Sequence, residues 1–353
     1  MKKLLNNQNS KISKEKQKIS GIIFSRAFCS IGIIIFHYFA HAKGNYKLYF
    51  KTANSGIGLM LVTNFLCMSG AVLYYNYPII NSKKKFYYKR WKSILPSYYI
   101  CNIYFYITIS LNNHKLCYKG PYKNLILNLI GLDGYLVHSY GVKAFNLVGE
   151  WFLGVIIIIY FLYPLLTYLM NINILIIHFI ISINYYLIYK TNIYGSVINE
   201  RNIIFSLNSF YFGMIVIKFK KYFFENKLTL IICFILLIFL SIFKINSSFI
   251  LIRQIQGYAL FIILVEIGTY IISKDKTKIF NIISNLSYSI FLYHHRIIKD
   301  ILKIYNPKEI QLHLMILIEA FILIIICANI HSSILNYIFK SKIFIKFDSF
   351  FLN

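Results

Sequence analysis

Acidic side chains are scarce in this chain of 353 residues, which has 11 Asp and Glu against 38 Lys and Arg. Charged residues of both signs make up 14% of the sequence, whereas a soluble domain typically has about 25%. Proline is rare too, with five residues, and no Pro-rich or Gly/Ser-rich linker divides the chain. Apolar residues account for 58%. The composition excludes a large soluble domain and indicates a polytopic membrane protein with a single membrane domain.

Cysteine is present six times but never in a C-x-x-C pair. We therefore expect neither a disulfide framework nor a thiolate metal site. His37 and His41 are one helical turn apart, which is a spacing found in metal sites. No third clear ligand accompanies them in the sequence, so we expect no metal.

The net charge of +27 raises the question of nucleic-acid binding. The basic residues, however, lie in short loops between apolar blocks and not along one soluble face. This distribution favours contact with anionic lipid and the fixing of membrane topology. We expect membrane lipid, and no nucleic acid, as a partner.

Apolar segments of spanning length recur along the chain, and they predict an all-α fold of about ten transmembrane helices. They fall near 20–41, 56–80, 94–111, 147–169, 172–189, 203–217, 228–243, 251–272, 282–298 and 312–338. Several are close to the minimum length of about 17 residues, so the count is fixed only to within one. A shorter patch at 124–137 is interrupted by Gly and Asp, which predicts a re-entrant or interfacial helix.

Lysine and arginine counts predict the orientation of these spans. With both termini in the cytoplasm, the inner segments hold 22 basic residues and the outer loops hold 13. This asymmetry follows the positive-inside rule. We predict a cytoplasmic tail at 1–19, an uncleaved first span, a membrane domain at 20–338 and a cytoplasmic tail at 339–353.

The first predicted span carries two polar side chains, Arg26 and His37, eleven residues apart. Eleven residues of α-helix turn through roughly 1100°, about 20° past three full turns, and rise roughly 16 Å. The two side chains therefore share a face, with Arg26 nearer the cytoplasm. A charged residue within a span usually faces the bundle interior or a cavity. The alternative interpretation is that Arg26 extends to the inner headgroups and His37 is a satisfied interior histidine.

Five stretches in order carry a resemblance to a known family. They are the R-x10-H pattern at 26–37, "NFLCMSG" (64–70), "FYYKRWKSILPSYY" (86–99), "GEWFLGVIIIIYFLYPLL" (149–166) and "NLSYSIFLYHH" (285–295). Together they resemble the acyltransferase 3 family of bacterial membrane O-acyltransferases, over roughly residues 20–300. Such enzymes move an acyl group, usually acetyl, onto a hydroxyl of an extracytoplasmic glycan. The resemblance implies a multi-pass protein of the bacterial cytoplasmic membrane.

The resemblance also implies roles for particular residues. Arg26 would bind the phosphates of the donor or polarise its thioester carbonyl, and His37 would take the proton of the acceptor hydroxyl. Arg90 and Lys92 are candidates for donor binding, with headgroup contact as the alternative. Residues that would contact or support the acceptor are Glu150, Trp151, Tyr288, Tyr293 and His294. Acyl-CoA would be a co-substrate, with no bound cofactor.

Two departures from the family pattern are visible. Many relatives have a Glu shortly after the Trp, where this chain has Val155, Ile156 and Ile157. The carboxylate partner of His37 is therefore unassigned. Relatives often have an esterase-like domain after the membrane part, and here we expect transfer to be completed within the membrane domain. A transporter or flippase of a lipid-linked sugar or acyl compound is the alternative function, and a structural membrane component is a third.

Overall fold

The chain folds into α-helices in the computed structural model, and the described residues contain no strand. The structure describes all residues except 1, 43–55, 118–119, 149–150, 175–176, 178, 182, 185–186, 188–200, 225, 243–249, 273–277, 306, 308 and 353. Side chains are described from residue 21 onward, except that of residue 272.

The first half of the chain contains six α-helices and one short 3₁₀ turn within these residues. The α-helices are α1 (Lys2–His41), α2 (Gly56–Asn76), α3 (Lys83–Asn112), α4 (Leu125–Leu129), α5 (Asp133–Tyr140) and α6 (Trp151–Ile172). The second half continues with α7 (Ile203–Lys218), α8 (Lys220–Phe224), α9 (Lys227–Ile242), α10 (Ile250–Ile272), α11 (Lys278–Tyr305), α12 (Ile310–Lys340) and α13 (Lys342–Leu352).

Six helices in the described part of the chain are long and apolar enough to cross a membrane. They are Gly21–His41 within α1, together with α2, α3, α6, α10 and α12. The chain is thus a multi-pass, all-helical protein, as predicted. Each of these six corresponds to a predicted span, although α1 begins well before its apolar part.

Four of the ten predicted spans are not among these six. The segments 203–217 and 228–243 form α7 and α9, which have 16 residues each and are shorter than a typical span. The segment 282–298 lies in α11, whose charged residues Arg296, Lys299, Asp300 and Lys303 lower its hydropathy. The segment 172–189 falls largely outside the described residues.

The patch at 124–137 does not form one continuous helix. The short helices α4 and α5 are separated at Gly131, whose φ of +72° a residue with a side chain rarely adopts. A methyl group there would also lie 2.6 Å from Ile157 Cδ1. The predicted interruption of this patch is therefore confirmed, and its re-entrant or interfacial placement stays a prediction.

The chain divides into two compact units. The first comprises Met1–Asn76 and Ser209–Ser287. In it, α10 packs against α1, α2 and α9, and α1 also packs against α2. A core of buried apolar side chains fills these contacts, including Ile22, Leu61, Met68 and Phe261.

The second unit comprises Tyr77–Asn208 and Tyr288–Asn353. Its central helix is α3, which packs against α6, α12 and α13, while α5 packs against α6. Ser82 caps α3 by accepting a hydrogen bond from the backbone N–H of Lys85. Each unit contains residues that the sequence analysis singled out, and these are described next.

Candidate active site

Arg26 and His37 lie on one uninterrupted helix of the first unit. Helix α1 runs through both residues, which confirms the helical spacing assumed for them, and both side chains are partly buried. The Ser30 hydroxyl donates a 2.8 Å hydrogen bond to the carbonyl oxygen of Arg26. The His37 ring stacks on that of His41, with centroids 6.1 Å apart. The two polar groups therefore share one face of a regular helix at two depths.

Two of the sequence motifs meet beside Arg26. The Ser25 hydroxyl donates a 3.0 Å hydrogen bond to Asn64 Oδ1, and both side chains are fully buried. Asn64 belongs to the "NFLCMSG" stretch of α2. Its Nδ2 has no hydrogen-bond partner among the described residues. The contact joins the first motif to the second within the apolar core.

Arg90 lies in an aromatic cage in the second unit. Its guanidinium carbon is 5.5 Å from the centroid of the Tyr77 ring, 5.8 Å from that of Tyr160 and 6.0 Å from that of Phe86. Cation–π attraction holds a guanidinium in such a cage without neutralising it. Its buried Nε has no hydrogen-bond partner among the described residues. Arg90 therefore keeps donors for an anion.

Lys92 is positioned differently from Arg90. Its Nζ forms a 2.9 Å ion pair with Asp348 of α13 and lies 5.2 Å from the ring centroids of both Phe339 and Phe344. The hydrogen bond from Lys92 holds the pKa of Asp348 below its usual value. Arg90 and Lys92 both lie on α3, but their side chains contact different groups. The structure therefore does not bring the two cations together.

Trp151, Tyr288 and His294 are linked through an aromatic cluster in the second unit. Phe291 of α11 lies 6.2 Å from Tyr288, 6.0 Å from His294 and 5.7 Å from Phe152 of α6, measured between ring centroids. Phe152 in turn contacts Trp151 at 6.1 Å. The Tyr288 hydroxyl donates to the carbonyl oxygen of Ile94, and His294 is fully buried. Three predicted acceptor residues thus share one cluster.

Tyr293 lies apart from that cluster and contacts α12. Its hydroxyl is 3.0 Å from Nδ1 of His331, whose Nε2 is 2.6 Å from the Ser97 hydroxyl. The sequence analysis did not identify Ser97 or His331. The one signal available was a histidine within an apolar run of α12.

A buried carboxyl also went unrecognised from sequence. Asp133 is 2% exposed and accepts hydrogen bonds from the Tyr98 hydroxyl and from Asn128 Nδ2. Burial raises the pKa of Asp133 from 3.8 to about 6. Tyr98 belongs to the Pro-x-Tyr motif, so this motif is hydrogen-bonded to the buried carboxyl of Asp133.

The position of the expected family Glu is apolar and packed. Val155 is fully buried, Ile156 is 6% exposed and Ile157 contacts the glycine turn at Gly131. No carboxylate stands there. Glu150, the other candidate, lies outside the described residues.

Comparison with known proteins identifies the family. The model of an acyltransferase domain, the acyltransferase 3 domain, matches residues 19–332. No curated protein and no solved structure shows a significant match. The matched region includes the R-x10-H helix, the Arg90 cage and the aromatic cluster around Phe291. Because the match covers most of the chain, the protein belongs to the acyltransferase 3 family and is a multi-pass membrane acyltransferase.

Proposed function

We propose that this enzyme transfers an acyl group, with acetyl expected, from cytoplasmic acyl-CoA to a hydroxyl of a cell-surface or lipid-linked saccharide. The observation that carries the proposal is the single helix α1 with Arg26 and His37 on one face, within the matched family region. An axial offset of roughly 16 Å suits a long donor that has a charged end and a reactive end. The protein itself would lie in the bacterial cytoplasmic membrane.

His37 is the proposed general base for the acceptor hydroxyl. An imidazole has an unperturbed pKa of about 6.5, so it accepts a proton readily near neutral pH. Arg26 is proposed to polarise the thioester carbonyl or to bind a donor phosphate. Either role uses a cation on the same helix as the histidine, eleven residues before it.

Arg90 is the stronger of the two proposed donor-binding residues. Its planar guanidinium is held by three rings and retains donors, a combination that suits a phosphate. Lys92 is already paired with Asp348, so its proposed contribution is smaller and depends on releasing that pair. A ten-span topology with both termini in the cytoplasm would place both residues on the donor side.

The aromatic cluster that links Trp151, Tyr288 and His294 is proposed to support the acceptor. Aromatic faces pack against the apolar faces of sugar rings, and hydroxyl and imidazole groups bind the sugar hydroxyls. Phe291 places these side chains around one centre. Glu150, one residue before Trp151, is proposed to contact the same acceptor.

The test compares O-acetyl content of surface glycans by mass spectrometry. Cells lacking the gene are complemented with the unchanged enzyme, with His37→Ala or with His114→Asn. His114 is exposed and has a positive φ that Asn tolerates, so it is the matched control. Loss of a general base costs about a hundredfold or more in rate, so we expect His37→Ala to abolish acetylation at normal membrane levels.

An unchanged acetyl content with His37→Ala would contradict the assignment of His37. Movement of a lipid-linked saccharide by the purified protein, with no acyl transfer, would favour a flippase instead.

A further inference from the structure

Three helices of the second unit place polar side chains together at His331. The Ser97 hydroxyl of α3 is 2.6 Å from His331 Nε2 on α12, and the Tyr293 hydroxyl of α11 is 3.0 Å from His331 Nδ1. The exposed fractions are 3% for Ser97, 5% for Tyr293 and 1% for His331. Helices α3 and α12 are both among the candidate membrane spans. This cluster is therefore polar and buried within the membrane part of the enzyme.

Burying the His331 imidazole and its hydroxyl partners at this position costs free energy. An apolar side chain would fill the same space without the cost of removing an imidazole and a hydroxyl from water. Hydrogen bonds between membrane helices contribute little stability on average, which does not offset that cost. Ionisable side chains inside membrane segments are commonly functional.

The hydrogen bonds are ordered as in an activated nucleophile. When the Ser97 hydroxyl donates to Nε2, the proton of the neutral imidazole lies on Nδ1 and is donated to the Tyr293 oxygen. The tyrosine thereby fixes the ring orientation and the tautomer. A hydroxyl nucleophile, a base within hydrogen-bond reach and a third group that orients the base are the parts required for covalent acyl transfer.

We propose that Ser97 carries the acyl group as an ester between donor and acceptor, an inference that rests on the proposed acyltransferase function. In the first step, Ser97 Oγ attacks the thioester carbonyl of acyl-CoA. The new C–O bond forms, the C–S bond breaks, and the Ser97 proton passes to His331 Nε2. The CoA thiolate leaves and takes a proton from water.

In the second step, the acceptor hydroxyl attacks the ester carbonyl. Its proton passes to solvent, and the new acceptor ester forms as the bond to Ser97 Oγ breaks. His331 returns its proton to Ser97 Oγ. One thioester and one alcohol are consumed, and one ester and one thiol are formed. Burial of Ser97 keeps water from the intermediate ester.

The test uses the purified full-length protein in lipid nanodiscs, incubated with acetyl-CoA and no acceptor. Intact-protein mass spectrometry and peptide mapping should find one added acetyl group on the peptide that contains Ser97. Occupancy in His37→Ala should equal that of the wild type, because without acceptor the second step occurs in neither. The label should disappear in Ser97→Ala and persist in Ser93→Ala, a matched change one turn away, where the hydroxyl donates to the Arg90 carbonyl oxygen.

A third variant, Ser97→Cys, keeps the proposal testable if Ser97→Ala does not fold. It should carry a thioester that neutral hydroxylamine removes, whereas the Ser97 ester should resist the same treatment.

The proposal is overturned if the wild-type enzyme acetylates glycan in cells while neither it nor His37→Ala is labelled. It is equally overturned if Ser97→Ala acetylates glycan at the wild-type rate. In both cases the proposed function stands. Absence of glycan acetylation by the wild-type enzyme would instead remove the proposed function itself.

Discussion

At the scale of single residues, Asp133 is the clearest titratable group outside the spans. Its carboxyl is buried and accepts from Tyr98 and Asn128. Those bonds favour the charged form, but burial has the larger effect and raises the pKa from 3.8 to about 6. At a pH between 3.8 and about 6, the folded protein therefore keeps a proton on Asp133 that the unfolded chain has released.

Stability should therefore fall as the pH rises through about 6. The contribution of Asp133 is fully present below pH 4 and is lost above its folded pKa, with an upper bound of about 3 kcal/mol. Asp133→Asn should remove this dependence. Thermal unfolding in detergent at pH 5 and pH 7.5 measures it as the change in midpoint between the two conditions.

Asp300→Asn is the matched control for that measurement, because Asp300 is about half exposed and paired with Arg296 on the same helix. It should keep the wild-type difference between the two pH values. If Asp133→Asn also keeps that difference, the raised pKa of Asp133 is wrong.

Sequence predicted the polar residues within single helices better than their partners. Arg26 and His37 were found because eleven residues of helix have a fixed rotation and rise. Ser97 and His331 are 234 positions apart, and a pairing at that distance depends on how helices pack. No local pattern in α3 or α12 encodes it.

At the scale of elements, α2 and α7 approach closely through a pair of glycines. A methyl group added at Gly70 would lie 1.9 Å from the carbonyl oxygen of Phe210, and one added at Gly213 would lie 2.0 Å from that of Cys67. A hydrogen bond from Cys67 Sγ to the Ser209 carbonyl oxygen joins the same two helices, and Gln254 of α10 donates to the Ser209 hydroxyl. Small residues allow membrane helices this proximity.

Gly70→Ala should force the two backbones apart, since a carbonyl oxygen cannot rotate away as a side chain can. Overpacking of this kind costs about 1–3 kcal/mol or more. We expect a lower unfolding temperature in detergent and a smaller folded fraction by size-exclusion chromatography. The adjacent Ser69→Ala adds no volume and should behave as the wild type does. Equal stability of Gly70→Ala and the wild type would contradict this packing.

Helix existence was predictable from long apolar runs, whereas helix length was less so. The close approach at Gly70 depends on how α2 and α7 pack, which apolar runs alone do not show. Helices α7 and α9, with 16 residues each, are shorter than the spans that their apolar runs predicted. Length depends on loops and caps, which hydropathy alone does not resolve.

At the scale of the whole molecule, the excess of positive charge predicts orientation. The segment between α2 and the middle of α3 contains six basic residues, which should hold it in the cytoplasm. Green fluorescent protein fused after residue 81 should therefore fluoresce. Alkaline phosphatase fused after residue 115 should be active, because the predicted topology places that loop outside.

A fusion at the C-terminus completes the topology test. With ten spans and both ends inside, green fluorescent protein fused after residue 353 should fluoresce as well. Phosphatase activity at that end would indicate an odd number of crossings. Sequence alone gives the sign of the asymmetry, but the number of crossings depends on α7, α9 and α11, which are short or polar.

The scarcity of tryptophan gives the C-terminal helix an optical readout. Trp91 and Trp151 are the two tryptophans of the chain. Trp91 lies 5.9 Å from Tyr88 on its own helix and 5.9 Å from Phe347 of α13, between ring centroids. In a Trp151→Phe enzyme, the emission wavelength of Trp91 would report whether α13 stays docked, so substrate-dependent movement of that helix becomes measurable without any attached dye.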